Sequence, residues 1–393
     1  MALRLKKISL TNFRNYAALR LEIKDARIVV LAGENGAGKT NILEAVSLLA
    51  PGKGLRSADL GDMTTRYPET PAQSTWAVAA ELQNAAGDAV RIGTGLDRRS
   101  DGRQRRVVRI DGKDAGGQGA LSAHVAAVWL TPQMDRLFLE GTAARRRFLD
   151  RLVFAHSPDH VTHLNRYEKN MRSRLKLLTG EEAADPKWLD ALEQQMAADA
   201  VSVTAARQHL LARLTYHLAE LSAVQSLFPS PVMALSGKLD QLLAKSAALQ
   251  AEEKLQDMLR STRRLDAETG RTTEGAHRSD LIVHYADKNM PADQCSTGEQ
   301  KGLLVSIILA HALMMQAEKG FVPLLLLDEV AAHLDDARRA QLFAHLRALD
   351  GQVWLTGTDA AIFRDLDADA AVFRLAAGDV RLETPSLELA AAT

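Results

Sequence analysis

The sequence predicts an α/β nucleotide-binding protein: a phosphate-loop core of mixed sheet and helices, encoded at both ends of the chain and interrupted by a helical insert. Three observations carry this reading. Gly33-Glu34-Asn35-Gly36-Ala37-Gly38-Lys39-Thr40 spells G-x-x-x-x-G-K-[ST] between the apolar run Ile28–Leu31 and the helix-like Ile42–Val46. Near the other end, Pro323–Leu327 is an apolar strand that stops at two adjacent carboxylates, Asp328 and Glu329. Between these motifs, apolar residues recur at three- and four-residue spacing, the signature of amphipathic helices.

Composition sets the outer limits. The 393 residues suffice for two or three domains, or for one α/β core with an insertion. Lysine plus arginine number 49, as do aspartate plus glutamate, so attraction to nucleic acid must come from local patches. The single cysteine, Cys295, excludes an internal disulfide framework and fits a reducing compartment, and a cytoplasmic location is expected. Met1–Ile8 alternates apolar and basic residues and lacks the unbroken apolar core of a signal peptide. The apolar stretches around Leu303–Met315 and Val322–Leu327 are too short or interrupted to span a bilayer, so no membrane partner is expected.

Taken in order, the first 135 residues read mostly as strands: Leu3–Leu10, Leu19–Ile23, Ile28–Ala32, Thr75–Leu82, Val90–Leu96, Gln104–Ile110 and Val125–Thr131. The phosphate-loop helix follows Lys39, and Asp111-Gly112-Lys113 reads as a turn. Helical periodicity takes over in Arg147–Phe154, His160–Leu178, Trp188–Leu227 and Leu239–Arg264, with breaks at Gly180, Pro186, Pro229, Pro231 and Gly237. The α/β pattern resumes with a strand at Asp280–Tyr285, a helix at Thr297–Glu318, a strand at Val322–Leu327 and a helix at Asp336–Leu349. Strands at Gln352–Thr356, Ala371–Leu375 and Val380–Glu383 close it. The domain reading is therefore 1–142 and 270–393 for the two parts of the core, with 143–269 an antiparallel helical insert. Trp188, Tyr216 and Phe228 read as core residues of that insert.

The motifs state the chemistry. A glycine-rich turn between strand and helix aims backbone N–H groups and the positive end of a helix dipole at a triphosphate. Lys39 would reach the β- and γ-phosphates, and the Thr40 hydroxyl would hold Mg²⁺. Of the two carboxylates, Asp328 reads as the metal-side residue and Glu329 as the base that orients an attacking water. Taken alone, the pair also fits a strand running into an acidic helix cap. Cys295-Ser296-Thr297-Gly298-Glu299-Gln300-Lys301 opens a long apolar helix and is a second anion site, although Ser296 and Glu299 equally fit an ordinary capping box.

With these blocks in hand, the chain resembles the ATP-binding-cassette ATPases and their SMC-like DNA-repair branch. Ser296–Gln300 looks like the cassette signature and Ala332-His333-Leu334-Asp335 like the D-loop. The resemblance implies a head-to-tail homodimer with two ATP molecules between subunits, Ser296, Gly298 and Glu299 acting in trans, and Asp335 close by. A tighter set of blocks is similar to the RecF recombination-mediator family. These are Asn12–Tyr16, Gly36–Ala45, Arg145–Asp150, His277–Leu281, Cys295–Lys301 and Leu327–Asp335, in order along the chain. That resemblance implies a cis nucleotide site of Arg14, Gly33, Asn35, Gly36, Gly38, Lys39, Thr40 and Asn41. It implies Gln133 as the Q-loop residue near Mg²⁺ and water, with Lys39 and Glu329 completing the catalytic set. Thr358 occupies the place where many cassette ATPases carry a switch histidine; lacking an imidazole, it predicts slow hydrolysis. Ala276 stands where the family's proline is expected.

The family resemblance also implies duplex and gapped DNA as ligands, RecR, RecO and RecA as partners, and a weak DNA-stimulated ATPase that acts as a switch. For the DNA contact itself, Arg103, Arg105 and Arg106 form a basic cluster on a predicted hairpin, suited to backbone phosphates. Arg172, Arg174 and Lys176, and Arg260, Arg263 and Arg264, are further candidates, whereas Arg145–Arg147 suit a structural brace. Few aromatic residues accompany them, which favours duplex backbone over base stacking. The alternative function is the ATPase subunit of a membrane transporter. The long insert, the Asn12–Tyr16 block and the missing switch histidine oppose it.

Overall fold

Alternating burial in the N-terminal strands, against unbroken burial in those flanking the two motifs, divides the first unit of the protein into two sheets. A computed structural model describes residues 3–65, 75–84, 86–98, 104–180, 185–223, 227–366, 370–376 and 379–383. The chain splits into two compact units, residues 1–135 with 225–228 and 308–393, and residues 136–224 with 229–307. The signature block thus falls in the second unit.

In chain order the first unit contains β1 (Arg4–Phe13), β2 (Tyr16–Glu22), β3 (Ile28–Gly33), α1 (Lys39–Ser47), β4 (Ala77–Gln83), β5 (Ala89–Arg98), β6 (Gln104–Ile110), β7 (Lys113–Asp114) and β8 (Ala127–Leu130). The second supplies α2 (Thr142–His156), α3 (His160–Leu178), α4 (Pro186–Ala223), β9 (Pro231–Ser236), α5 (Lys238–Leu243), α6 (Ala248–Ser261), α7 (Arg263–Thr269), β10 (Asp280–Tyr285) and β11 (Met290–Pro291). Helix α8 (Thr297–Lys319) begins in the second unit and ends in the first, which continues with β12 (Leu324–Leu327), α9 (Asp336–Ala348), β13 (Val353–Gly357), β14 (Ala370–Ala376) and β15 (Asp379–Glu383).

The first sheet is antiparallel, in the order β2-β1-β4-β5-β6-β7, and β4 and β5 alternate buried and exposed residues as a sheet with one covered face must. The second has the order β15-β14-β3-β13-β12-β8, parallel except for β15. Its strands β3, β8, β12 and β13 are apolar and buried almost throughout, the pattern of a sheet covered on both faces. Gln352, fully buried, staples the two sheets: its amide donates to the Leu5 and Ala26 carbonyls at 3.0 and 2.9 Å and accepts from Leu5 N at 3.0 Å. A single core of apolar side chains runs from Leu3 and Leu5 through Val29, Leu31 and Ile42 to Trp354 and Phe373.

The second unit has its own core around Tyr167, Met196, Ala200, Leu255 and Leu259. It is not wholly helical. Pro231–Ser236, expected to be a break, is β9, paired antiparallel with β10 from Tyr285 back to Asp280. The prolines exclude helix there, and the apolar Val232–Leu235 pairs with a strand too distant in sequence for local periodicity to reveal. The expected helix Leu239–Arg264 is three helices. Arg174 takes the Leu259 carbonyl at 2.6 Å, and Thr262 restarts the chain by donating from Oγ1 to Asp266 at 3.2 Å. Trp188 and Tyr216, read as core of the insert, are 58% and 60% exposed, whereas Phe228 is buried but groups with the first unit. Among the described residues one helix, α8, is long and apolar enough to cross a membrane by length and composition, and 83% of its apolar window is buried in the protein.

Candidate nucleotide site

The parallel sheet delivers every cis motif to one edge. In such sheets the crevice beyond the carboxyl ends of the strands is where ligands bind. β3 runs into the phosphate loop, β12 into Asp328-Glu329, β8 into the turn that carries Gln133, and β13 into Thr358. Since β13 pairs with both β3 and β12, Thr356 and Gly357 lie between the loop and the carboxylates.

Two glycines make the loop possible. A Cβ on Gly38, at φ 102°, would lie 2.3 Å from the Tyr16 hydroxyl and 2.5 Å from Asn15 Nδ2, so only glycine fits. A Cβ on Gly33 would sit 2.4 Å from the Leu375 carbonyl oxygen. Gly38 is also the N-cap of α1, with no side chain capping that helix end. The dipole and amides of α1 therefore face the loop, and Gly36 and Asn35 lie exposed on its crest.

Lys39 is 4% exposed, and its ammonium donates to the carbonyls of Gly33 and Glu34 at 2.6 and 2.9 Å. Burial pushes its pKa down, and the nearby Glu329 and Asp328 carboxylates oppose that shift. Asp328, 3% exposed, accepts the Thr40 hydroxyl at 2.9 Å and the Thr356 hydroxyl at 2.7 Å. Thr356 in turn receives the Glu329 amide at 2.8 Å. Glu329 has φ 53°, a left-handed backbone that a bulky residue adopts only when its surroundings impose it. Thr40 and Asp328 are adjacent hard oxygen donors and fit Mg²⁺. Gln133 and Thr358 are exposed at the same edge.

Arg14 has a more constrained place than its motif announced. At φ 55°, it forks onto the fully buried Glu44 at 2.8 and 2.6 Å and donates to the Asp62 carbonyl at 2.8 Å. Arg56 shares that carboxylate at 2.9 Å and also reaches Asn41 Oδ1 at 2.6 Å, while Asn41 Nδ2 donates to Asn15 at 2.7 Å. The network ties the β1–β2 turn to α1. Glu44, Arg56, Asn15 and Thr356 were not singled out in the sequence. The available signals were a carboxylate inside the apolar stretch Ile42–Val46 and a threonine ending the apolar Val353–Leu355.

The signature forms the capping box its residues suggested. Glu299 Oε2 accepts from Ser296 N and from Ser296 Oγ, both at 2.9 Å, and Oε1 takes the Lys288 ammonium. Lys288 and Ser296 hold the Glu299 carboxyl down at about 2. Ser296, Thr297 and Gly298 are exposed, and a Cβ at Gly298 would meet nothing within 4 Å. Asp335 caps α9, accepting from Arg338 N at 2.8 Å.

The basic candidates fare unequally. Arg103 lies outside the described residues. Arg105 is half exposed and pairs with Asp97 at 3.0 Å. Arg106 is turned inward and does not fit the expected DNA contact: its guanidinium binds the Gly52 and Leu48 carbonyls, Gln118 and Thr94, and burial lowers its pKa to about 10. Arg174 is likewise a buried structural residue, and Arg263 pairs with Asp190 and Glu193. Arg145 and Arg146 make structural contacts inside the second unit, Arg145 forking onto Asp280 at 2.8 Å twice and Arg146 bonding the Ser279 carbonyl at 2.7 Å. On the outer face of the antiparallel sheet, a hollow of about 360 Å³ has a floor of Ser9, Ala79 and Gly93, bordered by Lys7, Arg91 and Arg109 with Glu81 as its one carboxylate.

The family described as the RecF/RecN/SMC N-terminal domain matches residues 4–379. The chain is 46% identical over 376 residues to the DNA replication and repair protein RecF of Rhizobium rhizogenes, covering 96% of this chain and 98% of that protein. The same identity and coverage relate it to the RecF of Rhizobium leguminosarum bv. trifolii. Among solved structures it is similar to the recombination mediator protein RecF-ATP of the RecFOR pathway, with TM-score 0.83, 22% identity and 98% of both chains covered. An Smc head domain from Pyrococcus furiosus shares the fold at TM-score 0.53 and 15% identity, over 98% of this chain and 97% of that one.

Proposed function

The chain belongs to the RecF family of DNA replication and repair proteins, and from that premise we propose that it is an ATP-gated DNA clamp of recombinational repair and replication restart. One observation carries the proposal: the phosphate loop, the Thr40–Asp328–Thr356 hydroxyl–carboxylate chain and Glu329 converge at one edge of the parallel sheet. The loop amides and Lys39 bind the triphosphate of ATP. Thr40 and Asp328 hold Mg²⁺, which when bound supplies charge to offset the β- and γ-phosphate oxygens. Glu329 accepts the proton of a water that Gln133 helps to orient, and Thr358 leaves the γ-phosphate without an imidazole contact, so turnover is slow.

Ser296, Gly298 and Glu299, with Asp335, meet the nucleotide of a second copy, which makes ATP the link between two subunits in a homodimer. The closed dimer grips duplex DNA next to single-strand gaps, hydrolysis releases it, and the complex assists RecA loading with RecR and RecO in the cytoplasm. The relatives named RecF, and the mediator role stated for the RecF-ATP structure, support this reading. Arg105 and the hollow bordered by Lys7, Arg91 and Arg109 are suited to backbone phosphates. In this proposal residues 1–142 and 270–393 form the ATPase and 143–269 its insert.

The direct test is fluorescence anisotropy of a labelled gapped duplex titrated with the full chain at fixed moderate salt. Binding that tightens at least tenfold on adding Mg-ATP is the expected result. Equal affinity with and without nucleotide would sink the gating, and no binding in either condition would sink the DNA reading. Glu329→Gln is expected to retain ATP and accumulate the dimer, because the base is lost while the metal-side Asp328 remains. Light scattering that finds this variant monomeric in ATP would refute the sandwich.

A further inference from the structure

The turn between β10 and β11 directs a lysine at the signature. Lys288 is half exposed, places its ammonium on Glu299 Oε1, and lies over the Tyr285 ring at 5.7 Å from the centroid. The other oxygen of Glu299 accepts both the amide and the hydroxyl of Ser296. Without Lys288, this edge would present an uncompensated carboxylate one hydrogen bond from the serine that is to meet a triphosphate. Like charges brought together at an interface oppose association.

We propose that Lys288 is a positioning residue for the nucleotide held by a second copy of this chain: it neutralises and orients Glu299, which holds Ser296 in place, so that the first turn of α8 at Thr297 and Gly298 offers a triphosphate N–H donors and free space rather than negative charge. The inference rests on the trans reading of Ser296 and adds a residue to it. Three features favour this role over a plain surface ion pair. The Lys288 ammonium is anchored from two sides, by a carboxylate and by a ring face. The carboxylate it neutralises holds the hydroxyl of the signature serine. Among the described residues, nothing lies within 4 Å of where a Cβ on Gly298 would stand. An exposed ion pair contributes little to folding, so removing it leaves α8 in place.

The experiment measures the dimer dissociation constant of the full chain by light scattering across a concentration series, with a slowly hydrolysed ATP analogue and Mg²⁺. In a two-fold dimer each substitution enters twice, and Lys288→Ala is expected to weaken dimerisation roughly tenfold or more. Lys288→Arg should dimerise like the parent. Adding Glu299→Gln to Lys288→Ala should recover most of the loss, because no charge then remains to be neutralised; a purely packing role would give no such recovery. Analogue affinity of the single chain, set by the phosphate loop, is the control. If the parent dimerises and Lys288→Ala does so equally well, or if Glu299→Gln brings no recovery, the role of Lys288 is overturned while the sandwich stands. A parent that stays monomeric with the analogue overturns both.

Discussion

Lys39→Ala is expected to lower ATP affinity by about a hundredfold or more, the scale for losing a charge-assisted contact to a triphosphate inside a desolvated site. Its folding stability should be unchanged or slightly increased. The reason lies in the site: Lys39 is buried against two carbonyls, with its pKa pushed down by desolvation, and two carboxylates only partly compensate. A buried cation so placed costs the fold free energy and is suited to an anion that arrives later. Equilibrium binding of a fluorescent ATP analogue, alongside thermal melts, tests both halves. Retained affinity would remove the phosphate-loop assignment, and a collapsed melting temperature would make Lys39 a structural residue.

The second large effect concerns the other unit. Arg174→Leu should destabilise the protein by about 3–5 kcal/mol, the cost of leaving buried charges unpaired. Arg174 is fully buried and donates to Glu193 at 2.8 Å, Asp266 at 2.6 Å and the Leu259 carbonyl at 2.6 Å. Without it, Glu193 keeps Arg263, and Asp266 keeps only neutral donors from Thr262 and Thr273. At about 2–4 °C per kcal/mol for a unit of this size, the calorimetric midpoint should fall by roughly 10 °C. A shift within 2 °C or so would show that the cluster contributes no net stability. ATP affinity is the companion measurement, expected to be unaffected well below the melting transition.

These two residues mark what is legible in a sequence and what is not. Lys39 is announced by its neighbours: strand, glycines and helix are contiguous, and their chemistry is local. The same holds for Asp328, Glu329, and the Ser296–Glu299 capping box, each of which sits at the end of an apolar element. Arg174 carries no local sign, because its partners lie 19 and 92 residues away. For the same reason Arg106, adjacent to the half-exposed Arg105, turned out to tie off carbonyls near the end of α1. On a strand, neighbours face opposite sides, so a run of arginines divides between surface and interior. Trp188 and Tyr216 fail in the opposite sense: aromatic character predicts burial, and α4 exposes both. β9 was missed because a strand among helices is defined by its partner β10. Residue class and spacing identified the elements, whereas which side of each element is covered depended on distant parts of the chain.

The order of strands in the parallel sheet has a consequence for the making of the protein. β3 carries the phosphate loop, but its hydrogen-bonded neighbours are β13 and β14, at residues 353–357 and 370–376. At about 5–20 residues per second, the ribosome needs roughly 16–65 s to travel from the loop to those strands. During that interval the loop exists as sequence without the sheet that shapes it, and Asp328 has no fixed place beside Thr40. Nucleotide binding therefore becomes possible only when nearly the whole chain has emerged. Nascent or prematurely terminated chains contain the complete phosphate-loop motif and still lack the sheet that shapes it.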